Sequence, residues 1–452
     1  MKHIHILGIC GTFMGSIAVL AKAKGYRVSG CDTHIYPPMS DFLDQQGIDI
    51  IEGFDSDQLT PVPDLIIVGN TMKRGMPVVE AMLNRKLNYA SAPQWLYETI
   101  LKHKTVIAIA GTHGKTTTSC LVAHMLDKAG FNPGFLIGGV SEDFGVSARL
   151  TASDYFVIEA DEYDTAFFDK RSKFIHYHPD ILVMNNLEFD HADIFDSIED
   201  IYRQFHHLIR AMPEVATIVH PKSDKHIEKV LQRGVWSKQM ALGVNDLFVE
   251  KLANDWHCFA IYDSDTIIDV NWSLIGQHNA DNALAAYAVG KLTGVDVESF
   301  TSALYDFKGA RRRLECIYRD ERLCIYDDFA HHPTAITRTL QAIRASLDEQ
   351  TQLIVLIDPR SHTMKMGTHK EEVCLALNLA DEIWFYQHED LSWQPDLTLV
   401  TTSLRQFDNI ADMVEAFSEY YKDQTGLSCC MVLMSNAAFG DIRQKMLKIL
   451  NA

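Results

Sequence analysis

The 452-residue chain has little that would staple it together or carry it into a membrane. Its nine cysteines are an odd number, and none stands in a C-x-x-C pair, which argues against a disulfide frame or a zinc site. Cys429 and Cys430 sit side by side in an apolar run, as reduced buried thiols do in a cytoplasmic protein. No apolar run reaches the ~20 residues that span a bilayer. The opening Met1–Leu7 runs into glycines too soon for a signal peptide. Internal repeats and low-complexity tracts are absent. Positive charge is scarce too: 41 basic against 60 acidic side chains leave a net charge of -19. Such a surface repels nucleic acid and anionic membrane, so neither is expected as a partner. An acidic chain that handles an anionic substrate has to gather positive charge locally. Lys73-Arg74, Arg311-Arg312-Arg313 and Arg360 are the places to look, although most such clusters are solvated surface.

What the chain does have is short apolar strands alternating with helical patterns, the signature of parallel α/β layers. The first block reads as strand His3–Leu7, a glycine-rich turn, a helix from about Met14 to Ala23, and strand Arg27–Cys31 ending at Asp32. Strands at Ile48–Ile51 and Leu65–Val68 and a helix at Pro93–Leu101 complete it. The second block opens with strand Thr105–Ala110 and a helix over Lys115–Ala129. Strands Tyr155–Glu159, Ile181–Met184 and Val215–His220 follow. Val235–Trp272 is turn-punctuated and reads as an antiparallel insertion or edge sheet, before a helix over Asn279–Leu292. The third block carries strands Leu323–Tyr326, Leu353–Ile357, Ile383–Tyr386 and Cys430–Met434. Boundaries therefore fall near Lys102–Lys104 and Lys308–Arg313.

Five patterns carry chemistry. The first is Gly111-Thr112-His113-Gly114-Lys115-Thr116-Thr117, between a strand and a helix. Small residues let backbone N–H groups approach phosphates, and the helix N-terminus adds positive potential. Lys115 would reach the β- and γ-phosphates and Thr116 would hold Mg²⁺. The general phosphate-loop pattern wants glycine where this chain has Ile109, and the competing reading is a chance turn. The second is the acidic run Glu159-Ala160-Asp161-Glu162 at a strand's C-terminal end, where α/β sheets bind ligands. Magnesium takes oxygen ligands, so Glu159 beside the phosphate loop suits it. In the third, Asn185–His191, a lone histidine is usually structural, but one after a strand end and beside further polar groups, as His191 is, could ligate a second cation. The fourth is His278-Asn279-x-x-Asn282; Asn pairs with an adenine edge, or Asn279 simply caps a helix. The fifth joins Arg312 to Asp327-Asp328-Phe329-Ala330-His331-His332, where Asp328 would hold a ribose and Arg312 and His331 phosphate oxygens. The N-terminal turn Gly8–Gly15 does not match G-x-G-x-x-G, but with Asp32 after the second strand it suits a nucleotide.

Taken together and in this order, these motifs resemble the Mur ligase family over essentially the whole chain. The resemblance implies an α/β protein of three domains: Rossmann-like, a central P-loop ATPase-type parallel sheet with a β-rich part, and again Rossmann-like. It implies a UDP-substrate-binding domain at 1–103, an ATP-binding domain at 104–309 and an amine- or peptide-binding domain at 310–452. It further implies that Gly8, Gly11, Thr12, Met14, Gly15, Asp32 and Asn70 bind the UDP sugar, and that ATP and Mg²⁺ are required. Lys115, Glu159 and His191 would be catalytic, with Thr116, Glu159 and His191 on metal.

Asp327–Pro333 is nearly the stretch of the family's L-alanine-adding branch. That branch also lacks the carbamylated lysine of other members, as this chain does at Gln204–His207. Yet Tyr36–Ser40, Thr165–Phe174 and Asp358–Gly367 resemble a branch that attaches an intact tripeptide in peptidoglycan recycling. The expected substrates are UDP-N-acetylmuramate and L-alanyl-γ-D-glutamyl-meso-diaminopimelate, with UDP-N-acetylmuramate and L-alanine as the alternative. Arg360, Ser361 and Lys365 would bind the peptide, Arg360 because a guanidinium pairs with carboxylates bidentately. That branch is expected to carry Asn where this chain has His362.

Overall fold

A computed structural model describes residues 1–35, 39–244, 247–423 and 428–451. Of the Tyr36–Ser40 segment, Tyr36–Pro38 lies outside the described residues. The chain forms two compact units. The first comprises Met1–Glu188, Ile198–Leu247 and Asn282–Lys308; the second comprises Phe189–Ser197, Phe248–Asp281 and Gly309–Ala452.

The first unit holds two large sheets and a two-stranded hairpin, Asp164–Ala166 with Asp169–Ser172. The N-terminal sheet runs Asp49–Glu52, Arg27–Asp32, His3–Leu7, Leu65–Val68, Tyr89–Ser91, all parallel. Its centre, His3–Leu7, is covered on both faces: Ile4, Ile6 and Leu7 are all fully buried. His5, the polar residue between the two isoleucines, is buried as well, as a central parallel strand covered on both faces requires. The central sheet is seven-stranded, in the order Lys238–Leu242, Thr217–Pro221, Ile181–Met184, Thr105–Ala110, Tyr155–Ala160, Gly134–Leu136, Ala148–Arg149. All are parallel except Ala148–Arg149. Thr105–Ala110 lies between Ile181–Met184 and Tyr155–Ala160, so the loops after three neighbouring strands open at one edge. These loops carry the phosphate-loop, acidic and Asn-Asn motifs.

The second unit holds a three-stranded sheet, Leu247–Lys251, Cys258–Asp263 and Thr266–Asn271, the last two antiparallel. The Val235–Trp272 expectation therefore needs dividing. Its first strand, Lys238–Leu242, pairs in parallel at the edge of the central sheet, and only the rest forms the separate sheet. The C-terminal sheet runs Glu315–Arg319, Leu323–Asp328, Cys429–Met434, Gln352–Ile357, Glu382–Tyr386, Ser403–Phe407, parallel but for the first strand. Its central strands bury both faces with period two. Leu353, Val355, Ile357, Cys430, Val432 and Met434 enter one core, and Ile354, Leu356, Cys429, Met431 and Leu433 the other.

The strands expected from sequence are present to within a residue or two. Helices begin slightly earlier than read, at Thr12, Ala92 and Gln277. Elements the pattern did not reveal include helix Pro77–Asn84, the short strand Gly134–Leu136 and the hairpin Asp164–Ala166/Asp169–Ser172. No described helix is long and apolar enough to cross a membrane.

Candidate active site

The phosphate loop follows the fully buried end of strand Thr105–Ala110 and leads into helix Lys115–Lys128. Gly111 and Gly114 have φ of +129° and +79°, values that L side chains rarely adopt. Space forbids a side chain as well: a Cβ on Gly111 would lie 2.8 Å from the Asn186 carbonyl oxygen, and one on Gly114 2.6 Å from Asn282 Oδ1. Lys115 curls back over the loop. Its ammonium donates to the Gly111 carbonyl at 2.7 Å and to Glu162 Oε2 at 2.9 Å, with Asp161 at 3.7 Å. Burial alone would lower the Lys115 pKa, but the carboxylates of Glu162, Asp161 and Glu159 outweigh it and raise it above that of an ordinary lysine.

Thr116 and Glu159 meet beside the loop. The Thr116 hydroxyl donates to Glu159 Oε1 at 3.1 Å, and Glu159 Oε2 accepts the Gly138 N–H at 2.7 Å. Two oxygen ligands next to a phosphate-binding turn are a donor set that suits magnesium, which keeps the rest of its shell as water and phosphate oxygens. Glu162, three residues on, is almost fully buried and takes Lys115 instead.

The Asn-Asn motif does a job that sequence reading did not assign. Asn186 Oδ1 accepts the His113 N–H at 2.8 Å, and its Nδ2 donates to the His113 carbonyl at 3.1 Å. The Asn186 carbonyl takes the Thr112 N–H at 3.0 Å. Asn185 Nδ2 donates to Thr118 Oγ1 at 3.0 Å. The Glu188 N–H donates to Thr112 Oγ1 at 2.8 Å, and its carboxylate lies 3.1 Å from His113 Nε2. The neighbouring strand's loop thus fixes the phosphate loop from the side. The one cue in the sequence was two amides directly after an apolar strand. Asn282 lies against Gly114 in the same cluster. Asn279, the third residue of its helix, donates through Nδ2 to the Ile275 carbonyl at 2.8 Å.

A cleft of about 260 Å³ lies at the N-terminus of helix Thr12–Ala23. Gly11, Thr12, Met14 and Asn70 line it, as expected, and so do Phe13, Tyr163 and Lys173, which sequence reading did not place there. The first turn of this helix carries no acidic residue, which leaves its positive end available to an anion. Lys173 is mostly buried, 3.4 Å from Asp161, with its ammonium 5.2 Å from the Phe13 ring and 5.5 Å from the Tyr163 ring. Gly8, Gly15 and Asp32 serve the turn behind the cleft. Gly8 has φ +77°, and a Cβ on Gly15 would strike the Met39 sulfur at 2.5 Å. Asp32 accepts the N–H groups of Cys10, Thr33 and His34 at 2.9, 2.8 and 3.1 Å.

In the second unit, His191 follows Asp190 with φ +55°, an uncommon conformation that marks the loop as constrained. Asp190 accepts the His191 N–H at 2.7 Å and the Thr363 hydroxyl at 3.2 Å. Burial would raise the Asp190 pKa, but His191, His331 and His332 hold it well below the usual carboxylate range. Asp328 accepts the N–H groups of Leu314 (2.7 Å) and Ala330 (2.8 Å), so it braces the turn that carries Arg312. Arg312 donates to the Ser435 carbonyl at 2.6 Å and lies 3.4 Å from Asp327. His331 Nδ1 donates to the Phe329 carbonyl at 2.9 Å, which fixes the orientation of the ring.

The C-terminal end of strand Gln352–Ile357 carries the residues assigned to the peptide. Ser361 Oγ accepts the Met364 N–H at 3.2 Å and so caps the helix His362–Met366. Lys365 pairs with Asp390 at 3.3 Å. Asp358 takes the Ser435 hydroxyl on one oxygen at 3.1 Å, and its other oxygen has no hydrogen-bond partner among the described residues. Burial pushes its carboxyl up to about 6, against the opposing charges of Arg360 and Lys365. His362 is exposed at the head of its helix.

Comparison with known proteins accords with this geometry. Residues 3–104 match the Mur ligase family catalytic domain, 109–290 the Mur ligase middle domain and 312–433 the Mur ligase glutamate ligase domain. The chain is 47% identical over 454 residues to the UDP-N-acetylmuramate–L-alanyl-γ-D-glutamyl-meso-2,6-diaminoheptandioate ligase of Haemophilus influenzae, covering 99% of each. It is 45% identical over 448 residues to the Escherichia coli K12 protein of the same name, covering 98% of this chain and 97% of that one. Among solved structures, a murein peptide ligase from Psychrobacter arcticus superposes with a TM-score of 0.76 at 41% identity, over 100% of this chain and 99% of that one. With three consecutive domains matched and nearly half its residues shared along its whole length, this chain belongs to the Mur ligase family.

Proposed function

We propose that this chain joins the lactyl carboxylate of UDP-N-acetylmuramate to the free amino group of L-alanyl-γ-D-glutamyl-meso-diaminopimelate, with cleavage of ATP to ADP and phosphate. The observation that carries the reaction type is the grouping of Lys115, Thr116 and Glu159 at one strand edge. The tripeptide is preferred over L-alanine because the two relatives matched along nearly the full chain are both named for it. The setting is the cytoplasm, where ATP and the nucleotide sugar are found.

A carboxylate does not react with an amine in water without activation. The lactyl carboxylate attacks the γ-phosphorus, the bond to the ADP oxygen breaks, and an acyl-phosphate results. Charge then spreads over the transferring phosphoryl oxygens, and fixed cations stabilise it. Lys115 supplies one such charge once its bond to Glu162 is exchanged for phosphate oxygens. Mg²⁺ supplies more when bound; Thr116 and Glu159 offer oxygen ligands for it, and His191 is proposed for a second ion. The N–H groups of the phosphate loop, held by Asn186, cradle the nucleotide. The peptide's amine adds to the acyl carbon, and phosphate leaves as the amide forms. Asn279, Asn282, Arg312, Asp328 and His331 are assigned to ATP, and Arg360, Ser361 and Lys365 to the peptide. The cleft at Gly11–Met14 with Asn70 and Lys173 takes the UDP sugar.

The deciding experiment measures ATP-dependent phosphate release with UDP-N-acetylmuramate and Mg²⁺, comparing tripeptide with L-alanine and weighing the product by mass spectrometry. Ligated product with the tripeptide alone is expected. Product with L-alanine alone would move the chain to the biosynthetic reaction.

A further inference from the structure

The C-terminal sheet aligns three chemically related side chains in one row. Arg319, Cys324 and Cys430 are direct register partners on three neighbouring strands, Arg319 opposite Cys324 and Cys324 opposite Cys430. Residues in register on adjacent strands share a face, so the Cys324 thiol is flanked by a guanidinium on one side and a second thiol on the other. Cys430 is fully buried, whereas Cys324 is only partly so. Arg319 is held there by its own bond to the Tyr326 hydroxyl at 2.6 Å. None of these groups belongs to the site described above.

We propose that Cys324 and Cys430 form a peroxide-sensitive dithiol, with Cys324 as the attacking thiolate and Cys430 as the resolving thiol. The arrangement meets the usual needs of a redox-sensitive pair: a cysteine that is only partly buried, a nearby cation and an adjacent resolving cysteine. A hydrogen bond from the Cys430 thiol lowers the Cys324 pKa, burial opposes it, and Arg319 lowers it further. Cys430 is shifted the other way, upward, by the same hydrogen bond and by burial. Parallel neighbours stand ~4.8 Å apart. That spacing lies within the ~4.4–6.8 Å Cα range of disulfides, so the register allows the two sulfurs to be bridged.

The chemistry balances with hydrogen peroxide as oxidant. The Cys324 thiolate attacks one peroxide oxygen, the O–O bond breaks, hydroxide leaves, and Cys324 becomes a sulfenic acid. The Cys430 sulfur, giving up its proton, then attacks the Cys324 sulfur; the S–O bond breaks and a disulfide forms. The two thiols lose two electrons and two protons, and peroxide is reduced to two waters. The linked strands end at Asp328 and Met434, and Ser435, next in the chain, accepts from Arg312, so the bond would disturb the turn that holds Arg312.

The test exposes the full-length protein to hydrogen peroxide, alkylates remaining thiols in denaturant, and maps peptides by mass without reduction. A Cys324–Cys430 cross-link that dithiothreitol reverses is expected. Cys430→Ser should instead accumulate a Cys324 sulfenic acid, trapped by dimedone, that the parent protein does not. Reduced Cys324→Ser should show parental turnover that no longer responds to peroxide. The proposal is overturned if Cys324 stays alkylatable at doses that oxidise the exposed Cys316, or pairs with Cys316 in preference to Cys430. A disulfide that leaves turnover unchanged would overturn its regulatory part.

Discussion

The Lys115 ammonium stands 2.9 Å from the Glu162 carboxylate, while Glu159, from the same acidic run, takes Thr116 at 3.1 Å. Two carboxylates three residues apart thus divide the labour. One stands beside Thr116, at the place proposed for a cation, and the other holds the lysine proposed to meet phosphate.

This pairing makes Lys115→Ala a compound change. Turnover should fall by about 10²–10³-fold through loss of transition-state charge stabilisation. Stability should fall too, by roughly 3 kcal/mol, because Glu162 is left buried without its counter-charge. Adding Glu162→Gln should restore most of the urea stability and none of the turnover. If the double variant regains activity, Lys115 is only a structural partner.

Glu159→Gln tests the cation. The amide can still accept the Gly138 N–H and donate to the Thr116 hydroxyl, so the local fold should hold. The Mg²⁺ concentration for half-maximal turnover is expected to rise roughly 10–100-fold, the range found when groups supporting a metal are altered. An unchanged Mg²⁺ titration would remove Glu159 from the metal site.

Much of this site was legible because strand, glycine turn and helix are local patterns. Lys115 and Thr116 open the helix after one strand and Glu159 lies at the end of the neighbouring strand, at the carboxyl edge where parallel sheets bind ligands. Lys173 was not legible as a site residue. It follows a short hairpin, Asp164–Ala166/Asp169–Ser172, with no periodic signal, and it reaches the cleft only because that hairpin folds it back towards Phe13. Asn186 was noticed without a role, since bracing a loop leaves no trace in spacing. Ser361 was read as a peptide contact, and its hydroxyl caps a five-residue helix. Lys238–Leu242 was grouped with the antiparallel segments after it because a single short strand carries no mark of the direction in which it pairs.

Lys173→Met keeps the apolar stem between Phe13 and Tyr163 but removes the charge. If Lys173 meets the UDP sugar, the KM for that substrate should rise about 10-fold, the worth of one charged hydrogen bond. The KM for ATP should stay near its parental value. Equal shifts in both would point to a general disturbance of the loop through Asp161, which Lys173 also contacts.

Two buried groups should tilt the pH profile of stability in opposite directions. His5 is fully enclosed; its Nδ1 lies 2.8 Å from Ser29 Oγ and its Nε2 3.1 Å from Gln58 Oε1. Burial lowers its pKa to about 4 from 6.5. The unfolded chain then binds a proton that the native state refuses, so stability should fall as pH drops from 6.5 towards 4, by roughly 3 kcal/mol in all. Asp358 works the other way. Its folded value of about 6 lies above the ordinary 3.8, so its contribution is complete below 3.8 and is lost as pH rises through 6. Asp358→Asn should therefore gain stability relative to the parent at pH 8, by up to roughly 3 kcal/mol, and show no gain at pH 3.5. Urea titrations of the parent, His5→Gln and Asp358→Asn at several pH values separate the two. If the asparagine variant is no more stable than the parent at pH 8, the ionised Asp358 carboxylate is well solvated or well paired in the native state, and burial is not what sets its titration.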